Sequence, residues 1–308
     1  MFFWPAFFLE GAGMADIQMR FGKDMLVLST SFNHSFAQLG FDLATEEAYV
    51  DLCEPETVEQ AYQMEKMIGT PCFCTATECI TNARLAHEKF EGHGKDIAAF
   101  AWESVHAFSP EHALAVIGPS GLPLDESSAT SLKASRAQYQ TAVKELTEYP
   151  FDALFFSGFT SAYDAQCALM GARAVYDGPV FLSYALTDAG ELPTHTHTLA
   201  EAVALADEYG ADVIGIASGA TYEHLAPVIE TLRENTTKPL LAELVVRELI
   251  ERAYNPDLDN PYYSPDRMID TALKLRQQGV QFLRAEGVAT FAYTGGLVAT
   301  LAGLDVVA

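Results

Sequence analysis

Residues 279–287 read Gly-Val-Gln-Phe-Leu-Arg-Ala-Glu-Gly, and this stretch decides how the rest of the chain is interpreted. Just before it, Ser264-Pro265-Asp266 opens an amphipathic segment that is typical of a helix. The first glycine of the stretch ends that helix, and the apolar residues after it predict a buried strand. In a parallel barrel, residues at the end of such a strand line the active mouth. We therefore expect Glu286 and Gly287 to lie there.

Short apolar runs followed by longer helical segments recur along the whole chain. Eight runs are candidate strands: 26–30, 71–75, 113–117, 153–157, 180–184, 213–217, 239–243 and 281–285. Eight such units at this length predict an α/β fold, the (β/α)8 TIM barrel. We assign it to a single domain, residues 21–308, after an N-terminal arm, residues 1–20. The alternative is a doubly wound open sheet, but no early strand is followed by a Gly-rich phosphate turn.

The composition is that of a large, strongly acidic globular chain. Its 308 residues are 49% hydrophobic and 19% charged, and the formal net charge is −24. This charge argues against nucleic acid and anionic membranes as partners, because both would repel an acidic surface. No apolar run is long enough to span a bilayer. A small-molecule substrate is the expected partner.

Cysteine usage and the start of the chain indicate the compartment. The five cysteines are odd in number and unevenly spaced, so they form no disulfide framework, and we expect a reducing environment. Residues 1–8 are apolar but lack a basic flank, which makes them a poor signal peptide. We therefore expect a cytoplasmic protein whose first residues form a surface-docked or disordered arm.

Several motifs along the chain resemble those of one known family. Gly118-Pro119-Ser120-Gly121 resembles its third-strand turn, and residues 179–184 are similar to its fifth strand. Gly210-Ala211-Asp212 resembles the start of its sixth strand, and Tyr263-Ser264-Pro265 the approach to its eighth. From about residue 26 onward, the chain resembles the homocysteine S-methyltransferase family. That family includes betaine-homocysteine methyltransferases and the barrel domain of cobalamin-dependent methionine synthase.

The resemblance implies a barrel that transfers methyl groups, and it also implies a metal. In the family, one cysteine after the sixth strand and an adjacent pair after the eighth hold zinc, which activates a substrate thiol. The matching positions here carry Ser218, Glu286 and Gly287. Ser29-Thr30-Ser31 stands where the family has Asp-Gly-Ala, and Ser157-Gly158 where a Glu-Thr pair receives the amino-acid substrate. No cofactor is therefore certain: zinc is possible, but the three family cysteines are absent.

Two carboxylates are the candidate catalytic residues. Glu243 and Glu286 end neighbouring strands, so their side chains could face one another, and one of a close pair can hold a proton and act as general acid or base. Ser218 is the candidate orienting group. The alternative is that each carboxylate meets an Arg, a Lys or water, and Arg284 is expected to pair with an acid. Other polar side chains near strand ends are candidate substrate contacts: Ser29, His34, Glu78, Ser120, Ser157 and Tyr184.

Three cysteines near the second strand permit a second interpretation. Cys72 and Cys74 share one face of the strand, and Cys79 follows at the mouth. If a metal binds, Cys79, Glu78 and Glu286 are the candidate ligands, because a soft ion favours sulfur. The alternative is that Cys-x-Cys on a buried strand is ordinary core packing.

The sequence thus predicts methyl transfer to a thiol or a related small acceptor at an altered, zinc-free site. A corrinoid or other methyl-carrier protein is a candidate partner, since it could dock at the barrel mouth. Two alternatives stay open, because a fold does not fix a function. One is a non-catalytic barrel that binds a small molecule or a partner, having lost the family's zinc and homocysteine ligands. The other is a lyase or hydrolase that uses the carboxylate pair.

Overall fold

The computed structural model describes residues 16–248 and 260–307, and within these ranges eight parallel strands close into a barrel in chain order. Helices connect successive strands and surround the sheet. The first strand pairs with both the second and the eighth, an arrangement that an open sheet does not have. The protein is therefore a (β/α)8 TIM barrel, which confirms the predicted fold and excludes the open sheet.

All eight predicted strands are present, with different ends. They are β1 (Leu26–Leu28), β2 (Cys72–Cys74), β3 (His112–Ile117), β4 (Ala153–Phe159), β5 (Val180–Ala185), β6 (Val213–Ser218), β7 (Leu240–Val246) and β8 (Val280–Gly287). β1 and β2 are shorter than predicted, whereas β4, β7 and β8 continue further toward the mouth. β7 and β8 pair as far as Val246 and Gly287. Glu243 and Glu286 therefore lie within the sheet and not beyond it.

The helices follow from local sequence signals. They are α1 (Asn33–Gln38), α2 (Leu43–Cys53), α3 (Pro55–Ile68), α4 (Asn82–His87), α5 (Gly94–Phe108), α6 (Ala129–Leu146), α7 (Ala162–Arg173), α8 (Leu199–Glu208), α9 (Tyr222–Asn235), α10 (Pro265–Gln277) and α11 (Phe291–Leu301). Pro55 occupies the first turn of α3, where its missing N–H costs no hydrogen bond. Thr198 and Glu201 form a capping box at the start of α8. Across the described residues, no helix combines the length and apolar character needed to cross a membrane.

Alternating side chains of the strands fill the barrel interior. The interior cluster contains Leu26, Leu28, Cys72, Cys74, Leu114, Val116, Ala153, Phe155, Phe181, Val213, Leu241 and Phe282. Residues between these positions, such as Val27 and Leu283, pack against the surrounding helices instead. The two cysteines of β2 are therefore core residues, fully buried among apolar neighbours.

The segment before β1 closes the N-terminal end of the barrel. Residues Ile17–Arg20 form a short 3-10 helix, and Ile17 is fully buried in the interior cluster. The ring of Phe21 lies edge to face against Phe181 and Phe282, with centroid distances of 6.1 and 5.9 Å. Residues 16–20 of the predicted arm thus pack on the barrel. The rest of the arm lies outside the described residues.

Candidate functional site

A cavity opens at the C-terminal end of the barrel, where β8, β1 and β2 end side by side. Its volume is about 200 Å³. It is lined by Ser31, Phe32, Asn33, Glu47, Thr75, Ala76, Glu78, Arg84 and Arg284. Two glutamates and two arginines are among these residues, so the cavity suits a small polar or charged molecule. We call it the mouth cavity.

Arg284 is the centre of the charge network at the base of the mouth cavity. Its side chain is 1% exposed. Nη1 donates to Glu243 Oε2 at 3.0 Å and lies 3.2 Å from Glu286 Oε2, while Nε donates to the carbonyl oxygen of Ser29 at 3.1 Å. Burial alone would lower the pKa of Arg284, but its acidic neighbours, led by Glu286, outweigh burial and raise it. The guanidinium is therefore a permanent cation.

Glu243 is fully buried beside this cation. Its Oε1 accepts a hydrogen bond from the hydroxyl of Ser183, and its Oε2 accepts one from Arg284. Burial raises the pKa of Glu243; Arg284 opposes this shift and Glu286 adds to it, and the net direction is upward. The structure thus brings the two predicted carboxylates to the same guanidinium nitrogen. Because one guanidinium neutralises only one carboxylate, the group favours a bound proton or a second cation.

Glu286 is the carboxylate of this group that reaches solvent. Its side chain is 16% exposed. Oε1 accepts a hydrogen bond from Asn33 Nδ2 at 3.2 Å. Oε2 forms the ion pair with Arg284 but accepts no hydrogen bond within the described residues. This oxygen is itself buried and keeps an unused acceptor position beside Arg284.

Glu78 and Glu47 form the acidic wall of the mouth cavity. Burial and the nearby Glu286 raise the pKa of Glu78 to about 7, although Arg284 opposes the shift. Its backbone N–H donates to Glu47 Oε1 at 2.9 Å. Burial and the charge of Glu78 raise the pKa of Glu47 to about 8. Groups with such pKa values can take up and release protons at neutral pH.

Three of the predicted substrate contacts belong to this region. Glu78 lines the mouth cavity. Ser157 Oγ lies 3.5 Å from Arg284 Nη1. Ser29 offers its carbonyl to Arg284, and its hydroxyl accepts a hydrogen bond from the N–H of Cys74 at 2.9 Å. Both serines are buried, so their contacts hold Arg284 in place and do not reach the mouth cavity.

Tyr184 faces away from the mouth cavity. Its hydroxyl donates to the carbonyl oxygen of Ala202 on α8 at 2.9 Å, and the ring packs in the cluster between sheet and helices. Burial raises the pKa of Tyr184 above its ordinary value, so the phenol stays neutral. Strand alternation explains the placement, because the preceding residue, Ser183, is the one that points inward to Glu243.

The remaining predicted residues take part in local structure or lie beside the cavity. The hydroxyl of Ser218 is buried and accepts a hydrogen bond from the N–H of Ala220 at 3.2 Å. Ser120 is buried, and its N–H donates to the hydroxyl of Tyr139 at 2.9 Å. His34 is half-buried on α1, next to Asn33, but is not among the described residues that line the mouth cavity.

The side chains near the mouth do not fit a thiolate zinc centre. Within residues 16–248 and 260–307, no group of three or more His, Cys, Asp and Glu side chains is arranged to hold a metal ion. Cys79 is fully buried, and burial raises its pKa well above the ordinary value, which keeps the thiol protonated. At the positions that match the zinc ligands implied by the resemblance, Ser218 bonds to its own turn, Glu286 pairs with Arg284, and Gly287 has no side chain.

Gly287 is required by the backbone at this point. Its φ is +72°, and a Cβ built there would lie 2.3 Å from the carbonyl oxygen of Val246. We predict that Gly287→Ala lowers the free energy of unfolding by about 2–4 kcal/mol, because it combines a left-handed φ with a backbone clash. Gly303→Ala is the matched control, since Gly303 has φ +75° but open space around it. Urea unfolding measures both, and equal losses would contradict the clash.

Three residues at the site were not predicted from the sequence. Ser183 could have been found from alternation in β5, since Phe181 already points into the barrel. Asn33 lies in the polar segment after β1, and only its contact with Glu286 distinguishes it. Glu47 carries no local signal, because an acidic residue on a helix ordinarily indicates a solvent-exposed face.

The sequence was compared with models of known protein families and with curated proteins. A family model described as homocysteine S-methyltransferase matches residues 10–283. Curated protein sequences contain no match to this chain.

Solved structures are similar in fold. The metallated form of the homocysteine methyltransferase MmuM from Escherichia coli superposes with a TM-score of 0.72 at 18% identity, covering 90% of this chain and 96% of that one. Its apo form gives a TM-score of 0.69 at 17% identity, with coverages of 93% and 99%. The carboxyl transferase domain of Rhizobium etli pyruvate carboxylase with pyruvate gives 0.51 at 11% identity, covering 88% of this chain and 41% of that one. At these identities the similarity shows the barrel fold alone.

Proposed function

Because the chain belongs to the homocysteine S-methyltransferase family, we propose that it transfers a methyl group to a thiol or related small acceptor held in the mouth cavity, without a thiolate zinc. The family and the fold support methyl transfer in general. The altered site is our addition, and it rests on Ser218, Glu286 and Gly287, which stand at the positions that match the family's zinc cysteines.

One observation carries this proposal: Glu286 contacts Asn33 and Arg284, which line the mouth cavity, and its Oε2, 3.2 Å from Arg284 Nη1, accepts no hydrogen bond within the described residues. In the proposed step, Glu286 takes the proton of the acceptor's S–H, and the sulfur lone pair attacks the methyl carbon. The bond between that carbon and the donor breaks, and its electron pair leaves with the donor. Arg284 and Asn33 hold Glu286 in position, and Glu78 can carry the proton onward at neutral pH.

The methyl donor is either an onium compound, whose departure as a neutral molecule balances the step, or a methylcorrinoid. A corrinoid is too large for a cavity of about 200 Å³, so it would be presented by a carrier protein docked at the mouth. The net charge of −24 is compatible with a carrier that has a basic docking surface.

Metal content and turnover together test the proposal. Protein purified without chelator is assayed for zinc and then incubated with homocysteine and methyl-labelled betaine or methylcobalamin. We expect methyl transfer that persists in the presence of a chelator and without stoichiometric zinc. Stoichiometric zinc that is lost in Cys79→Ala would contradict the zinc-free site.

A non-catalytic binding barrel is the competing function. The observation that favours it is that Arg284 donates hydrogen bonds to Glu243 and to the carbonyl oxygen of Ser29. A purely structural ion pair has the same arrangement. A ligand that only binds raises the melting temperature by mass action but is recovered unchanged. A homocysteine-dependent thermal shift without product, for every donor tested, would replace our proposal by this one.

A further inference from the structure

Glu47, which forms part of the acidic wall of the mouth cavity, belongs to a group of three buried carboxyl groups. Glu47 and Asp51 lie one turn apart on the same face of α2, and Glu88 follows α4. Asp51 is 2% exposed, and the other two are also buried. We call these three residues the α2 acid cluster.

The α2 acid cluster has too few partners for three negative charges. Neither carboxylate oxygen of Asp51 has a hydrogen-bond partner among the described residues, and the same is true of Glu88 Oε1. The only cation paired with the cluster in the described structure is Arg84, whose Nη2 lies 3.7 Å from Glu88 Oε1. One guanidinium can neutralise one carboxylate, so the buried cluster is compatible with a closed structure only when other members hold protons.

The same carboxyl groups attach α2 to the rest of the barrel. Glu88 Oε2 accepts a hydrogen bond from the N–H of Ala48 at 2.9 Å. Glu47 Oε1 accepts one from the N–H of Glu78 at 2.9 Å, and the Glu47 side chain forms part of the cavity wall. α2 is therefore joined to the mouth cavity through the groups that must be protonated.

We propose that α2 is a lid over the mouth cavity, which stays closed while the α2 acid cluster holds protons and opens when the cluster ionises. The device does not depend on which reaction the cavity performs. It would couple access to the cavity to pH.

The direction of the effect follows from burial. Burial, then the charges of neighbouring acids, raise the pKa of Glu47 to about 8 and shift the pKa of Asp51 upward, and burial also raises the pKa of Glu88. An acid whose pKa is raised in the closed state does not affect that state below its ordinary pKa, and it destabilises that state progressively as the pH rises from the ordinary value to the raised one. The closed lid is therefore most stable at acidic pH and loses stability as the pH rises toward about 8, the raised value for Glu47.

The elements packed around α2 supply other ionisable groups. Those near the cluster are His34 on α1, Tyr62 and Glu65 on α3, Glu78 and Cys79 after β2, and Arg84 and His87 on α4. The ionisable side chains of α5, which are Lys95, Asp96, Glu103 and His106, are exposed to solvent. Arg84 is thus the cation that opposes lid opening, whereas the remaining acids favour lid opening.

Cys79 is a built-in reporter of lid opening. It is fully buried, and its thiol interacts electrostatically with all three members of the cluster. In a Cys53→Ser background, which removes the exposed thiol, the protein is pulsed with a maleimide at increasing pH and mapped by mass spectrometry. We expect Cys79 labelling, relative to Cys72 inside the barrel, to rise about tenfold or more between about pH 7 and pH 9.

Neutral replacements separate lid opening from simple thiol ionisation. The double change Glu47→Gln and Asp51→Asn removes the titration but keeps the side-chain shapes, so Cys79 should stay protected at alkaline pH. Glu103→Gln on α5 is the matched control and should behave like the wild type. Equal alkaline labelling in the double variant and the wild type would overturn the proposal.

Hydrogen exchange of the wild type provides a second measurement, which decides the matter even if the double variant does not fold. After correction for the intrinsic effect of pH, amides of α2 should exchange at least about tenfold faster at alkaline pH, while amides of α6 stay unchanged. If α2 exchanges no faster than α6 after that correction, there is no lid.

Discussion

Replacing Arg284 by methionine is expected to lower the free energy of unfolding by about 3–5 kcal/mol, because it leaves buried carboxylates without their cation. Arg284 is 1% exposed, and it bonds to Glu243, which is fully buried. Methionine retains much of the side-chain volume, so the loss is electrostatic and not a cavity effect. Urea unfolding, followed by circular dichroism, measures it.

The pH dependence of this stability loss, together with a double variant, identifies its cause. Arg284 opposes the upward shift in the pKa of Glu243, so this pKa should rise further when Arg284 is replaced. An acid with a raised folded-state pKa destabilises the fold as pH rises, so the deficit should be larger at about pH 8 than at about pH 5. Adding Glu243→Leu should restore part of the lost stability. A deficit that is independent of pH and unrelieved in the double variant would show that Arg284 acts by packing alone.

Glu286→Gln is expected to reduce methyl transfer by about 10²- to 10⁴-fold, the usual contribution of a general base. Glutamine keeps the shape and can still contact Asn33, but it cannot take a proton. The measurement is kcat/KM with homocysteine and with the methyl donor that is active for the wild type. Glu230→Gln on the exposed face of α9 is the matched control and should leave the rate unchanged.

The pH profile of kcat/KM distinguishes the role of Glu286 from that of Glu78. If Glu78 carries the proton onward, the rate should rise with pH through about 7, because only the ionised form accepts a proton. Glu78→Gln should remove that rise while leaving measurable activity. Full activity in Glu286→Gln would mean that another group is the base, whereas an inactive wild type would argue against methyl transfer itself.

The sequence was a good guide to the fold because periodicity and helix ends are local properties. The buried runs predicted all eight strands, and Ser264-Pro265-Asp266 marked the start of α10. Strand ends were less well predicted. The pairing of β7 with β8 as far as Val246 and Gly287 depends on the neighbouring strand and leaves no local signal.

The site was predicted only in part, because it is built from residues that are distant along the chain. Alternation correctly places Ser157 and Glu243 inward, and the expected pairing of Arg284 with an acid is confirmed. The same alternation turns Tyr184 outward to Ala202. Glu47, on α2, lines the cavity beside Glu78, whose N–H donates to its carboxylate.

The sequence by itself determined the closed barrel, through the spacing of its apolar runs, and the chemistry available at the mouth, through the identities of Ser218, Glu286 and Gly287. Only the tertiary structure decided that Glu243 and Glu286 share Arg284, and that Glu47, Asp51 and Glu88 are buried. The physical reason is that a pKa or an ion pair depends on burial and on neighbours in space. Those neighbours are defined only after the chain has closed.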